Sequence, residues 1–137
     1  MDVKEFVGLL HDLKILEIKV ANIFEKRLGI SITRFQIIKY LYEVEVATPK
    51  QIAQILEIDA AAITRHLKKL EEGEYVRKRR NEDNNREVFV ELTQYSKNKV
   101  DQCVKETDIR KLIGAEFTDE DFKQLVKLLN KFNNNLI

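Results

Sequence analysis

The sequence has little from which to build loops: one proline and four glycines in 137 residues leave few breaks, so a mainly helical chain is expected. It has a single cysteine, Cys103, which excludes an internal disulfide or a thiolate cluster and makes the reducing cytoplasm the expected compartment. It has no run of about 18 apolar residues, and charges interrupt every short apolar run after Met1, so neither a membrane span nor a signal peptide is expected. A glycine-rich phosphate loop, a nucleophile elbow and any nucleophile–base pair are missing, which removes the common enzyme classes. His11, His66 and Cys103 form no metal-ligand spacing, so no cofactor or metal is expected. Net charge is almost absent, at +1; a phosphate backbone responds to the local arrangement of Lys and Arg, so this alone excludes nothing.

What is present is 44% hydrophobic and 34% charged residues, the composition of a globular protein, here one domain over residues 1–137. Residues 3 to about 28 carry apolar side chains at helical spacing on more than one face, including Phe6, Leu10, Leu16, Val20 and Phe24, before Gly29 ends the helix. Thr33, three residues before Gln36, reads as the cap of a second helix with Phe35, Ile38 and Leu41 inward, followed by a connector over 44–47. Thr48-Pro49-Lys50-Gln51 gives a stronger start, because proline suits the first helical position and Gln51 completes a capping box. Asp59 caps a further helix to Glu72 with Ile63, Leu67 and Leu70 inward and Gly73 as its stop. Two short helices joined by a tight turn make a helix-turn-helix.

After Gly73 the period changes to two. Tyr75, Val76 and Arg77-Lys78-Arg79-Arg80 lead to the tip Asn81-Glu82-Asp83-Asn84-Asn85, and Val88, Val90 and Leu92 then alternate with Phe89 and Glu91, which predicts a β-hairpin. Residues 95 to about 113 return to helix. Phe117, Thr118, Asp121 and Phe122 open a last helix with a cap and a hydrophobic staple, and Phe122, Leu125, Val126, Leu129 and Phe132 line one stripe. Apolar stripes at both ends of the chain need a partner, which predicts a homodimer through the end helices. Cys103, beside Val100 and Val104, reads as a small core residue.

Rotating residues 59–72 by about 100° per residue puts Ala61, Arg65 and Lys68, and more obliquely Thr64 and Lys69, opposite the buried side. Small residues come first and cations later, an order that suits entry into a DNA major groove by the helix N-terminus. Ala60 and Ala61 permit close approach, Thr64 and Arg65 reach base edges, and Lys68 and Lys69 neutralise phosphates. Arg65 is the candidate for guanine. Taken alone, such a run more often describes a solvated face, and a helical module that binds protein remains the alternative reading. Arg77, Lys78, Arg79, Arg80 and Arg86 add a second basic group on the hairpin, with acids mainly at the tip and far strand.

The segment from Thr48 through Asp59, with Thr64-Arg65, Leu70-Glu71-Glu72-Gly73, Tyr75-Val76-Arg77 and Leu92-Thr93, resembles the DNA-binding domain of MarR-type transcriptional regulators. The resemblance covers the whole chain in layout and is strongest from about residue 35 to 93. It implies a mainly α winged helix-turn-helix fold with a small hairpin wing, a DNA-binding region over 31–93, and dimerisation helices over 1–30 and 94–137. It further implies a recognition helix over 59–72, a wing over 77–93 reaching the minor groove of double-stranded DNA, and repression from a pseudo-palindromic operator. A small organic effector would lodge between the end helices and the winged region. One departure concerns the wing: the family's Asp two residues before its Arg is Asn84 before Arg86 here, with Asp83 one place further away as its substitute.

Overall fold

The computed structural model describes residues 1–84 and 86–137. Along the chain lie α1 (Val3–Leu28), α2 (Ile32–Val44), β1 (Val46–Ala47), α3 (Pro49–Leu56), α4 (Ala60–Glu72), β2 (Val76–Arg80), β3 (Val88–Leu92), α5 (Gln94–Glu106), a 3₁₀ turn (Ile109–Lys111) and α6 (Asp119–Asn134). They form two compact units, Met1–Glu106 and Thr107–Ile137. Among the described residues no helix is long and apolar enough to cross a membrane.

Local chemistry starts and stops most elements. Gly29, at φ 71°, takes the left-handed conformation that closes α1, and its N–H donates to the Glu25 carbonyl. Thr48 and Gln51 exchange both bonds of a capping box at the start of α3, with Pro49 in the first turn. Asp59 accepts the N–H groups of Ala61 and Ala62 at the start of α4. The Ser31 hydroxyl, not Thr33, caps α2 by accepting the Arg34 N–H at 3.2 Å. Ser31 is extended while Thr33 is already helical, and Arg34 has no acceptor with which to complete a box.

The first unit has its own core: Ile37, Ile38 and Leu41 of α2, Ala47 of β1, Ile52 of α3, Ile63, Leu67 and Leu70 of α4, Val76 of β2, and Val90 and Leu92 of β3. The expected connector contains a strand instead. β1 pairs antiparallel with β3 through Val46–Glu91 and Ala47–Val90, making a three-stranded sheet in the order β1-β3-β2. Two residues are too few to register as a period, so pairing alone creates this strand. β2 and β3 form the expected hairpin, with Arg77 opposite Glu91 and Lys78 opposite Val90. Asn81 to Asn84 of the expected tip are seen, whereas Asn85 lies outside the described residues.

Gly73 ends α4 as expected, but at φ −82°; the left-handed residue is Glu74, at φ 64°. The Tyr75 N–H donates to the Leu70 carbonyl at 2.8 Å and the Glu74 N–H to Glu71 at 3.0 Å, the pair of bonds that closes a Schellman turn. Gly73 leaves room for the Tyr75 ring, from which a Cβ there would stand 3.0 Å, a tight contact that the ring would have to yield to.

The predicted helix over 95–113 breaks at Glu106. Asp108 accepts the Arg110 N–H and starts a separate 3₁₀ turn, since a short acceptor side chain competes with helix continuation. In the second unit, Thr118 and Asp121 form the capping box that opens α6, and Phe117 and Phe122 meet edge to face at 4.8 Å. Arg110 donates to the Phe117 carbonyl and to Asp119. Cys103 is half-buried on α5 rather than in the core; Val104 beside it is 74% exposed, and only Val100 of that trio packs against the core.

Candidate nucleic-acid interface

The α3–α4 turn is tight because Glu57 adopts a left-handed conformation at φ 52° and Ile58 donates back to the Ala53 carbonyl at 3.0 Å. With Ile52 fixed in the core on one side and Ile63, Leu67 and Leu70 on the other, the outward face of α4 follows from the 3.6-residue period. Ala61, Thr64, Arg65, Lys68 and Lys69 are exposed on it, and Ala60 is exposed at the start of the helix, round towards the buried side. The Thr64 hydroxyl donates to the Ala60 carbonyl at 3.1 Å, which commits its proton to the helix and leaves its lone pairs as acceptors.

His66 is half-buried on the margin of this face. Burial first, then the charges of Arg34, Arg65 and Lys69, hold the pKa of its imidazole below the usual value. Arg34 of α2 was not singled out from the sequence. Its Nε is buried with no hydrogen-bond partner among the described residues.

The five hairpin cations do not form one patch. Strand alternation sends Arg77 and Arg79 to the face that carries Glu91 and Phe89, and Lys78 and Arg80 to the face that carries Val88 and Val90. The Arg77 Nε lies 3.0 Å and the Arg79 Nε 3.8 Å from the same oxygen of Glu91, and the Arg79 guanidinium stands 5.1 Å over the Phe89 ring. Lys78 reaches Glu71 of α4 at 3.8 Å, a link between wing and helix. Arg80 and Arg86 are exposed. One of the acids that the sequence reading set apart from these cations, Glu91, is therefore the direct partner of Arg77 and Arg79, because antiparallel register brings it across from Arg77.

At the tip, among the described residues no ion pair joins Asp83 to Arg86. Asn84 accepts the Arg86 backbone N–H at 3.1 Å, Asn81 accepts that of Asp83 at 3.0 Å, and Asn81 donates to Glu87 at 2.8 Å. Amides brace this turn. At the other end, the Thr93 hydroxyl donates to the Glu74 carbonyl at 2.7 Å and accepts the Ser96 N–H at 3.2 Å, while the Ser96 hydroxyl donates to the Tyr75 carbonyl. Ser96 is fully buried; its signal in the sequence is the Thr-x-x-Ser spacing, read from the sequence only as far as Thr93.

A groove of about 500 Å³ lies between α2 and α5, floored by Phe35, Val100 and Val104 and edged by Tyr42 and Asp101. The Tyr42 hydroxyl donates to Asp101 at 2.6 Å, and that carboxylate holds the phenol pKa above its usual value. Among the described residues no group of three His, Cys, Asp or Glu is placed to hold a metal ion.

Comparison with known proteins gives a consistent picture. The family model described as transcriptional regulator SarA/Rot matches residues 19–103. The HTH-type transcriptional regulator YdgJ of Bacillus subtilis (strain 168) is 32% identical over 114 residues, covering 82% of this chain and 70% of YdgJ. YwoH, an HTH-type transcriptional regulator of the same organism, is 30% identical over 115 residues and 83% of each chain. Among solved structures, a mutant MarR from E. coli complexed with operator DNA superposes with a TM-score of 0.83 at 22% identity, over 96% of this chain and 99% of that one.

Proposed function

Because this chain belongs to the SarA/Rot family of transcriptional regulators and has a MarR-like winged helix fold, we propose that it binds a pseudo-palindromic DNA operator as a homodimer and acts as a cytoplasmic repressor. The observation that carries this reading is the outward face of α4, where small residues precede Arg65, Lys68 and Lys69 on the side opposite a fully buried stripe. Residues 31–93 are the DNA-binding region, with α4 in the major groove and the hairpin as wing; 1–30 and 94–137 dimerise. Support for the last point is that neither α1 nor α6 has a buried residue, and apolar stripes of that length in a soluble protein need a partner. The two-fold axis then sets the half-sites about one helical turn apart.

A small apolar or anionic organic effector releases the DNA by occupying the groove between α2 and α5; the apolar floor supports the apolar class, while at the edge Lys39 is paired with Glu43 and Tyr42 with Asp101. It acts by favouring a different separation of the two recognition helices.

Selection of bound duplexes from a random pool supplies the operator. Titration of variants against that operator and a scrambled duplex then tests the roles. Arg65→Ala costs about 1–3 kcal/mol on the operator and relaxes the preference at one position per half-site, whereas Lys68→Ala and Lys69→Ala weaken both duplexes alike and flatten the salt dependence. Equal, uniform losses from Arg65→Ala and Lys68→Ala would overturn the groove-reading orientation.

A further inference from the structure

Glu91 sits on β3, the middle strand of the sheet, paired to Val46 on one side and Arg77 on the other. Its backbone is therefore held by neighbours on both edges, and its side chain is only 23% exposed, against 66% for Arg77 and 51% for Arg79. One of its carboxylate oxygens faces both guanidinium groups, at 3.0 and 3.8 Å. Two arginines on the outer face of a basic hairpin thus already hold an anion, supplied by the protein itself. An ordinary surface pair gives way because both long side chains swing free; here the acid's backbone is held on both edges and its side chain is the least exposed of the three.

We propose that Glu91 is an internal substitute for a DNA phosphate, which holds down the affinity of the wing for arbitrary sequences. Resting on the DNA-binding reading above, the step is an exchange: Arg77 and Arg79 leave the Glu91 carboxylate as they take phosphate oxygens. Until they do, the cluster presents one net positive charge instead of two. Counterion release, which drives binding to any duplex, counts the phosphates neutralised, so a self-neutralised pair contributes less than its residue count. A surface that must first break its own ion pairs favours sites where α4 is already seated and discourages loose encounters.

The test is Glu91→Gln, which keeps the shape and removes the charge, with Glu91→Thr as a second variant that suits a strand. Both are titrated against a scrambled duplex across a salt series, beside the unaltered protein and beside each change in an Arg77→Gln, Arg79→Gln background. The expected result is a gain of about tenfold in affinity at low salt and a log–log salt slope steeper by up to about one, with both effects lost when the two arginines are absent. Affinity unchanged or reduced in the Glu91 variants would overturn the proposal. So would a gain that persists without Arg77 and Arg79, since it would then be the long-range effect of one charge. Failure of the unaltered protein to bind any duplex would instead overturn the DNA-binding reading itself.

Discussion

The segment from α2 to β3 and the helix α6 are both rich in apolar residues, yet they use them in opposite ways. In the first, Ile37, Ile52, Ile63 and Val90 are wholly shielded from solvent by one another. In the second, Val126 remains 57% and Leu128 63% exposed, and no residue of the helix is buried. Periodicity is equally clear in both, so an amphipathic stripe states only that a helix must be covered, and by itself says nothing of whether its own chain does the covering. The central segment folds on itself, whereas the apolar stripe of α6 stays largely exposed.

The comparison breaks hardest where the core is thinned. Ile63→Ala removes a fully buried side chain and is expected to cost about 2–5 kcal/mol in urea unfolding, with little dependence on protein concentration. A double change on α6, Val126→Lys with Leu129→Lys, is expected to leave the helical signal of the winged region intact while weakening self-association by about a hundredfold or more, read by light scattering over a dilution series. An Ile63→Ala loss that vanished at high protein concentration, or an α6 variant that associated as before, would erase the distinction.

Smaller changes sharpen it. Glu74 occupies a left-handed conformation at φ 64°, where a side chain is strained, so Glu74→Gly is expected to stabilise the chain by about 0.5–1 kcal/mol without altering association. Thermal melts of both proteins check it. The smallest effect is a pH dependence within the central segment. The His66 imidazole is held below its unfolded value chiefly by burial and then by Arg34, Arg65 and Lys69. Its contribution is therefore complete above the unfolded pKa of about 6.5 and is lost as pH falls from there towards the folded value, because the unfolded chain takes up the proton first. His66→Gln should flatten that part of the profile in urea titrations from pH 7.5 to 5.5.

Much of the fold was legible because its signals are local. Thr48 with Gln51, Asp59, Thr118 with Asp121, and Gly29 each cap a helix through bonds spanning four residues or fewer, a distance that sequence spacing encodes directly. The outward face of α4 followed from its period. What escaped depended on register or on distant partners. β1 exists only because Val46 and Ala47 meet β3, far along the chain. The pairing of Arg77 and Arg79 with one carboxylate needs the alignment that sets Glu91 opposite, and the extended backbone of Ser31 is invisible to a search for a reciprocal acid or amide. The break after Glu106 is a subtler miss: Asp108 is as compatible with a helix surface as with a cap, and only the 3₁₀ turn decides between them.

The Thr93–Ser96 lock also has a mechanical side. β3 ends at Leu92 and α5 begins at Gln94, so one residue joins strand to helix, and its hydroxyl is tied to the Glu74 carbonyl at the foot of the hairpin. Slack is therefore missing from this joint. A helix of α5's length is a lever arm of roughly 20 Å, so a tilt of about 5° at the joint carries its far end through about 2 Å. Read in reverse, a displacement of that size at the far end of α5 applies torque directly to the central strand of the wing, with no loop to dissipate it.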